Sequence, residues 1–312
     1  MKLVIQVPAW NEEEVLPRTL AELPRRVEGI DEVEIMVVDD GSTDGTVRVA
    51  REAGAHVLRL PSHQGLARGF TRGIEEALQR GADVIVNTDA DGQYHPRHIP
   101  ELVAPILAGE ADIVLGDRGV ANLAHFSPVK RWLQSVGARV VRFLSGVPVH
   151  DATTGFRAFS RDAAAHLNCF TSFSYTLETL IQAGQAGLTV RSIPVEARPP
   201  VRPSRLFGSN LGYISHQLAT LSRLIFIYRP LFTLMTMALI CLVPAALLFI
   251  RFLYFYVTGP TPTGHTQSLV AGAVLGTTGV QLAVLGILAD LTAVNRRLLD
   301  NIKARDRARK SR

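Results

Sequence analysis

A chain of 312 residues, 47% of them hydrophobic, is long enough to bury a sizeable core and to carry apolar segments beyond it. Its net charge of +5 is a tail effect: residues 296–312 hold eight Lys or Arg against Asp300 and Asp306, a net +6, so the first 295 residues sum to −1. That balance argues against nucleic acid as a partner of the main domain, and the two cysteines, Cys169 and Cys241, lack metal or redox spacing and imply no disulfide framework.

Leu3-Val4-Ile5-Gln6-Val7 reads as a first strand with no signal peptide before it. After the loop Pro8-Ala9-Trp10-Asn11-Glu12, the spacing of Val15, Leu16, Leu20 and Leu23 predicts a helix from Glu12 to Val27, acidic early and basic late as the helix dipole prefers. Strand 34–38 ends in Asp39-Asp40-Gly41-Ser42-Thr43-Asp44-Gly45-Thr46, a loop dense in oxygen ligands and in N-cap residues for a helix over 45–53. Strand 55–60, a Gly-rich helix over 66–80 and strand 83–88 follow, and the last strand ends in Asp89-Ala90-Asp91-Gly92-Gln93. Next come a helix from His95-Pro96 through Leu107, a short strand 112–116 ending at Asp117-Arg118, and a helix over 129–145 carrying Lys130, Arg131, Ser135, Arg139 and Arg142. Asp151 to Arg157 is a further loop of oxygen ligands, followed by helices over 160–167 and 174–186, the second containing Glu178, and a last strand 188–195. Strands alternating with helices predict an α/β fold with a mostly parallel sheet and helices on both faces.

No Gly-X-Gly-X-X-Gly fingerprint follows the first strand, which argues against a nicotinamide or flavin domain. Two strands that end in Asp-rich loops suit a nucleotide held by carboxylates instead. By themselves Asp89 and Asp91 read either as an Asp-capped turn or as hard oxygen ligands at the carboxyl end of a sheet, where Mg²⁺ or Mn²⁺ is held by one or two carboxylates and substrate phosphates. His63 and His95 read as structural or solvent-facing.

Composition changes at residue 197. Arg198 to Arg205 is proline-broken, basic and free of acids, and 206–228 has the pattern of a basic amphipathic helix lying in a membrane interface. Leu231–Ile250 and Leu269–Ala289 are uncharged runs of 20 and 21 residues, each enough to cross a bilayer core. Pro244 is compatible with a kinked span, and Arg251, Tyr254 and Tyr256 sit where snorkelling and aromatic-belt residues belong. Two spans and a basic tail place both termini and the main domain on the cytoplasmic side of a multi-pass membrane protein. The expected organisation is a catalytic domain over 1–200, a basic loop and interfacial helix over 201–229, two spans over 230–295 and a basic tail over 296–312.

Val7-Pro8-Ala9-Trp10-Asn11-Glu12, Val38-Asp39-Asp40-Gly41-Ser42-Thr43-Asp44-Gly45-Thr46, Asp89-Ala90-Asp91 and Thr154-Gly155-Phe156-Arg157, in that order, resemble a family 2 glycosyltransferase of the GT-A (Rossmann-like) fold, within the group of dolichyl- or polyprenyl-phosphate hexosyltransferases. The resemblance covers residues 1 to about 228. It implies that Pro8, Trp10 (where Tyr is usual), Glu12, Asp39, Asp40 and Ala90 line the nucleotide, with Asp89, Asp91 and Gln93 at the metal, Mg²⁺ or Mn²⁺, and the diphosphate. Arg202 and Arg205 then close over the diphosphate, and Arg118, Arg131 and Ser135 bind the acceptor phosphate. The implied reaction is an inverting single displacement from a nucleotide sugar, GDP-mannose before UDP-glucose, to polyprenyl (dolichyl or undecaprenyl) phosphate drawn from the membrane, with Asp151 and Glu178 as auxiliary candidates. The alternatives are a transferase extending another lipid or a polysaccharide, and a non-catalytic membrane scaffold that binds nucleotide sugars. Whether the chain forms a homo-oligomer is left open.

Overall fold

A computed structural model describes residues 1–119, 128–149, 151–167, 175–198, 219, 221–258 and 265–310, the backbone alone for 128–135, 297, 300, 301 and 303–310. The chain divides into two compact units, and the first holds a seven-stranded sheet of order β3-β2-β1-β4-β6-β5-β7. The strands are β1 (Lys2–Ala9), β2 (Glu32–Asp39), β3 (His56–Arg59), β4 (Val84–Asn87), β5 (Ile113–Asp117), β6 (Arg157–Ser160) and β7 (Val190–Pro194). The helices are α1 (Leu16–Glu22), α2 (Thr46–Glu52), α3 (Leu66–Gln79), α4 (Ile99–Leu107), α5 (Pro128–Ser145), α6 (Arg161–His166) and α7 (Tyr175–Ala186).

β1 to β4 are mutually parallel, β6 runs antiparallel to both β4 and β5, and β7 is parallel to β5. This polarity has a positional consequence. The chain leaves β1, β2, β4, β5 and β7, and enters β6, at the same edge of the sheet. The loops containing Trp10, Asp39-Asp40, Asp89-Asp91, Arg118, Asp151–Phe156 and Arg198 are therefore brought to one rim. The sheet itself is the core. Leu3, Val4, Ile5, Val7, Val37, Val38, Ile85 and Val86 are all fully buried, as β-branched and aliphatic runs covered on both faces require.

Two elements differ from the sequence reading. The first helix spans only Leu16–Glu22. Asn11 adopts a left-handed φ of 54°, and the backbone N–H groups of Glu12 and Glu13 donate to Thr46 Oγ1 and Asp44, so the stretch before Leu16 is committed to another loop. β6 falls where a loop and the start of a helix are expected. Its Arg157 is fully buried yet satisfied, donating to the carbonyls of Thr154, Ala152 and Thr176 and to Thr179 Oγ1 at 2.7–2.9 Å. A charged residue in a four-residue strand hides the strand from pattern reading. The interfacial helix lies mostly outside the described residues; its end, α8, is helical over 221–228.

The second unit, Ser222–Leu299, contains α9 (Pro230–Thr258) and the part of α10 (Thr266–Lys310) up to Leu299. Both exceed their expected spans, and α10 carries the helix on through most of the basic tail. Each is long and apolar enough to cross a membrane, and only 11% and 17% of their most apolar windows are buried, which rules against their being core helices of a soluble domain. They pack through small residues: buried Ala238 and Ala245 oppose Gly279, Gly276 and Gly272, which lets the backbones approach as in membrane helix pairs.

Because Arg157 ties the β6 entry to α7, Arg157→Leu is expected to destabilise the protein by about 3 kcal/mol in denaturant unfolding, leaving buried carbonyls without donors. A loss under about 1 kcal/mol, the size of an ordinary surface change, would show that the network is dispensable.

Candidate active site

At one end of the rim the loops after β1 and β2 are laced together. Asn11 N–H donates to Ser42 Oγ at 2.9 Å, and Thr43 N–H returns a bond to Asn11 Oδ1 at 2.9 Å. Asp39 is buried beneath them, accepting from Ser42 N–H at 3.2 Å with Arg59 Nε 3.4 Å away. Asp40 accepts from the N–H groups of Gln64 and Gly65 at 2.7 and 2.8 Å, and His63 Nδ1 lies 2.9 Å from it. Gly41 is required here: its φ is 71°, and a Cβ would sit 2.6 Å from the Ser62 backbone. Above the carboxylates, Trp10 is 37% exposed and stacks on His63 with ring centroids 4.1 Å apart. The result is an exposed aromatic wall beside two oriented carboxylates, suited to stacking a flat ring and accepting hydrogen bonds from hydroxyls or ring N–H groups.

At the centre of the rim lies the β4 exit. Asn87 fixes it from below, receiving from Gln6 Nε2 at 2.8 Å and donating to Gly155 O at 2.7 Å and Tyr175 Oη at 3.2 Å. The Asp91 carboxylate accepts from the backbone and side-chain amides of Gln93. Asp89 remains partly accessible, but protein crowds it. Loss of solvent, and then the charge of Asp91, push its pKa up to about 7 against the opposing pull of Arg118 and Arg157. Arg118 is gripped by Asp151 through Nε at 2.7 Å and Nη2 at 3.0 Å, and gives a further bond to Thr153 Oγ1 at 2.9 Å. Burial alone would raise the Asp151 pKa, but Arg118 outweighs it and holds the carboxyl below its usual range. Gly155 leaves room for this cluster, since a Cβ there would meet Tyr175 Oη at 2.8 Å and Asp89 Oδ1 at 2.9 Å.

The β7 exit is stitched to the same loop. Tyr94 and Ala197 form a bridge, Arg198 N–H donates to Gln93 O at 2.8 Å, and the Arg198 guanidinium binds Glu22 at 2.8 Å and approaches His95 Nε2 at 3.3 Å. Burial and the nearby Arg198 and Arg97 lower the His95 pKa.

Thus Trp10, Asp39, Asp40, Asp89, Ala90, Asp91, Gln93 and Arg118 share one rim, with Pro8 and Glu12 at the β1 end of it. Ala90 is buried, its carbonyl held by Thr19 Oγ1 at 2.8 Å. Arg131 and Ser135 lie in α5 with side chains outside the description, and Arg202 and Arg205 lie outside the described residues. Glu178 is buried in α7. His63, read as structural or solvent-facing, is exposed and joins Trp10 to Asp40.

A mostly parallel sheet that delivers Asp-rich loops to one rim is the architecture of GT-A-like glycosyltransferases. The same fold occurs in glucosyl-3-phosphoglycerate synthase from Mycobacterium tuberculosis, crystallised with Mn²⁺, uridine diphosphate and phosphoglyceric acid (TM-score 0.56, 22% identity, covering 72% of this chain and 77% of that one). The family model for glycosyl transferase family 2 matches residues 4–167, and the chain belongs to that family. Among curated relatives, an undecaprenyl-phosphate mannosyltransferase of Micrococcus luteus is 29% identical over 62% of this chain and 83% of its own. A polyprenol monophosphomannose synthase of Mycolicibacterium smegmatis is 30% identical over 67% of this chain and 83% of its own.

Gly155→Ala is expected to displace Asp89 or Tyr175 and to lower kcat/KM for glycosyl transfer by about ten- to a hundredfold, with the thermal midpoint nearly unchanged. Steady-state kinetics beside thermal unfolding check this, and unaltered kinetics would show that the Asp89 position is not critical.

Proposed function

We propose that this glycosyltransferase moves a hexose from a nucleotide sugar to polyprenyl phosphate at the cytoplasmic surface of a membrane, with inversion at the anomeric carbon. The observation that carries the reading is the pairing, in one chain, of a carboxylate rim suited to a water-soluble nucleotide with two bare apolar helices suited to a bilayer. The names of the two curated relatives point to the same acceptor class. GDP-mannose is the first choice of donor and UDP-glucose the second.

The rim fits a divalent cation. Asp89 and Asp91 offer only hard oxygen donors, and the loss of solvent that, with the charge of Asp91, raises the Asp89 pKa to about 7 is what a cation would offset. Asp89 and Asp91 would hold Mg²⁺ or Mn²⁺, with Gln93 beside them. When bound, the cation supplies Lewis-acid stabilisation of the leaving diphosphate. The chain's own residues do the rest. Trp10, Asp39 and Asp40, with Pro8 and Glu12, orient the base and ribose. Arg118, locked by Asp151, adds fixed positive charge near Asp89. Arg202 and Arg205 cover the diphosphate, while Arg131 and Ser135 receive the acceptor phosphate. That phosphate, with a second pKa of about 6, is already ionised at neutral pH, so positioning matters more than a strong general base.

A donor panel of GDP-mannose, UDP-glucose and UDP-N-acetylglucosamine with undecaprenyl phosphate and Mn²⁺ tests the reading. Nucleotide release that requires the lipid phosphate supports it; no release with any donor overturns it. Asp91→Ala is expected to abolish transfer in a folded protein, and Arg131→Ala to raise the acceptor KM more than the donor KM. The proton on Asp89 competes with the cation. Mn²⁺ affinity measured by calorimetry should therefore be full above pH 7 and weaken about tenfold per unit as pH falls below it. A flat profile between pH 5 and 8 would remove Asp89 from the ligand set.

A further inference from the structure

We propose that a crevice at the charged end of the apolar helix pair holds the phosphate of an acidic phospholipid headgroup, with Arg296 as its partner. This goes beyond glycosyl transfer and rests only on reading α9 and α10 as membrane spans. The crevice lies within the second unit, has a volume of about 310 Å³, and is walled by Phe226, Ile227 and Pro230 on one side and by Ala289 and Ala293 of α10 on the other. Arg296 is the one charged residue in its lining.

Position decides what such a crevice meets. α9 begins at Pro230, directly after Arg229, and the apolar part of α10 ends at Arg296, so the charges at both ends mark one membrane surface. Tyr228 stands at the same level, where aromatic belts form. The side chains along both helices are largely bare, so acyl chains are what surrounds them, and a phosphate at this depth comes attached to a lipid.

The guanidinium is fixed in place. It donates to the Ile227 carbonyl at 3.0 Å and lies 4.9 Å over the Tyr228 ring. The carbonyl lies in the last turn of α8, which ends at Tyr228, where C=O groups lack a donor from their own helix. Held this way, the guanidinium is aimed rather than snorkelling freely, and its planar fork of donors matches phosphate oxygens. Basic pockets between spans on the cytoplasmic side are the general setting for anionic headgroups. The only hydroxyl in the lining, Thr292, is turned onto the Ala289 carbonyl at 2.7 Å, which leaves the crevice one polar anchor with apolar walls, the polarity of a headgroup joined to its chains. Asp290 lies six residues before Arg296 on α10 and is not part of the lining.

The test uses the full chain in nanodiscs of phosphatidylcholine, with and without phosphatidylglycerol, and reads the thermal midpoint and lipid retention by native mass spectrometry, without donor or turnover. Phosphatidylglycerol is expected to raise the midpoint above that in phosphatidylcholine. Arg296→Gln should erase that difference and weaken phosphatidylglycerol retention about fivefold, the value of one arginine near an anionic surface. Ala289→Leu, which keeps the guanidinium but fills the crevice, should erase it too, while Arg251→Gln, at the far end of α9, should keep it. If Arg296 serves only to cap Ile227, Arg296→Gln lowers the midpoint equally in both lipids and the difference persists, which overturns the proposal. The same increment from inorganic phosphate, or from undecaprenyl phosphate where phosphatidylglycerol gives none, also overturns it. Recovery of the chain without detergent would remove the span reading beneath it, and a failure of glycosyl transfer would leave the lipid result standing.

Discussion

A carboxylate from which protein displaces solvent resists ionisation, a second carboxylate two residues on adds to that resistance, and much of the first unit packs around the loop that carries Asp89 and Asp91. Asp89 is crowded enough for its pKa to reach about 7. Below it, Asn87 is pinned by Gln6 and in turn pins Gly155 and Tyr175. To one side Arg118 supplies positive charge, and Asp151 fixes its orientation with two hydrogen bonds. On the other, Gln93 caps Asp91 through both of its amides. Together these contacts fix the backbone and side chains on either side of Asp89.

The sheet makes this arrangement possible through polarity rather than through size. One antiparallel strand, β6, turns its preceding loop towards the same edge as the exits of β1, β2, β4, β5 and β7. Residues more than a hundred positions apart, such as Asp40 and Asp151, thereby come to one rim. Buried Arg157 holds that strand's entry by satisfying three backbone carbonyls, so a charge in the core serves as a hub of hydrogen bonds. The stitching of Tyr94 to Ala197 and of Gln93 to Arg198 adds the β7 exit to the rim. Arg198 is thereby anchored to the loop that carries Asp91.

The second unit obeys a different physics. Its helices bury little and meet through Gly and Ala, the close backbone approach by which helix pairs in lipid associate where no hydrophobic gain drives them together. Polar groups in this unit gather at helix ends, where Arg296, Tyr228 and the Ile227 carbonyl form a small fixed cluster. The same chain therefore carries carboxylates at a solvent-facing rim and arginines at the ends of apolar helices.

The sequence by itself determined the alternation of strands and helices, the two apolar runs, and the residue types at the strand exits. Those are local properties: β-branched runs, helical spacing and uninterrupted hydrophobicity act over a few residues and survive translation into structure. Asp39, Asp40, Asp89 and Asp91 were legible as a group because parallel strands always send their exits to one edge. Only the tertiary structure decided that α1 starts at Leu16, since the preceding residues spend their N–H groups on Thr46 and Asp44, more than thirty positions away. It alone revealed β6, whose buried Arg157 looks polar until its carbonyl partners are in place. It joined His63 to Trp10 and Asp40, and committed Arg118 to Asp151. These features rest on partners distant in sequence, and a pattern read along the chain carries no record of which distant group will satisfy a given donor or charge.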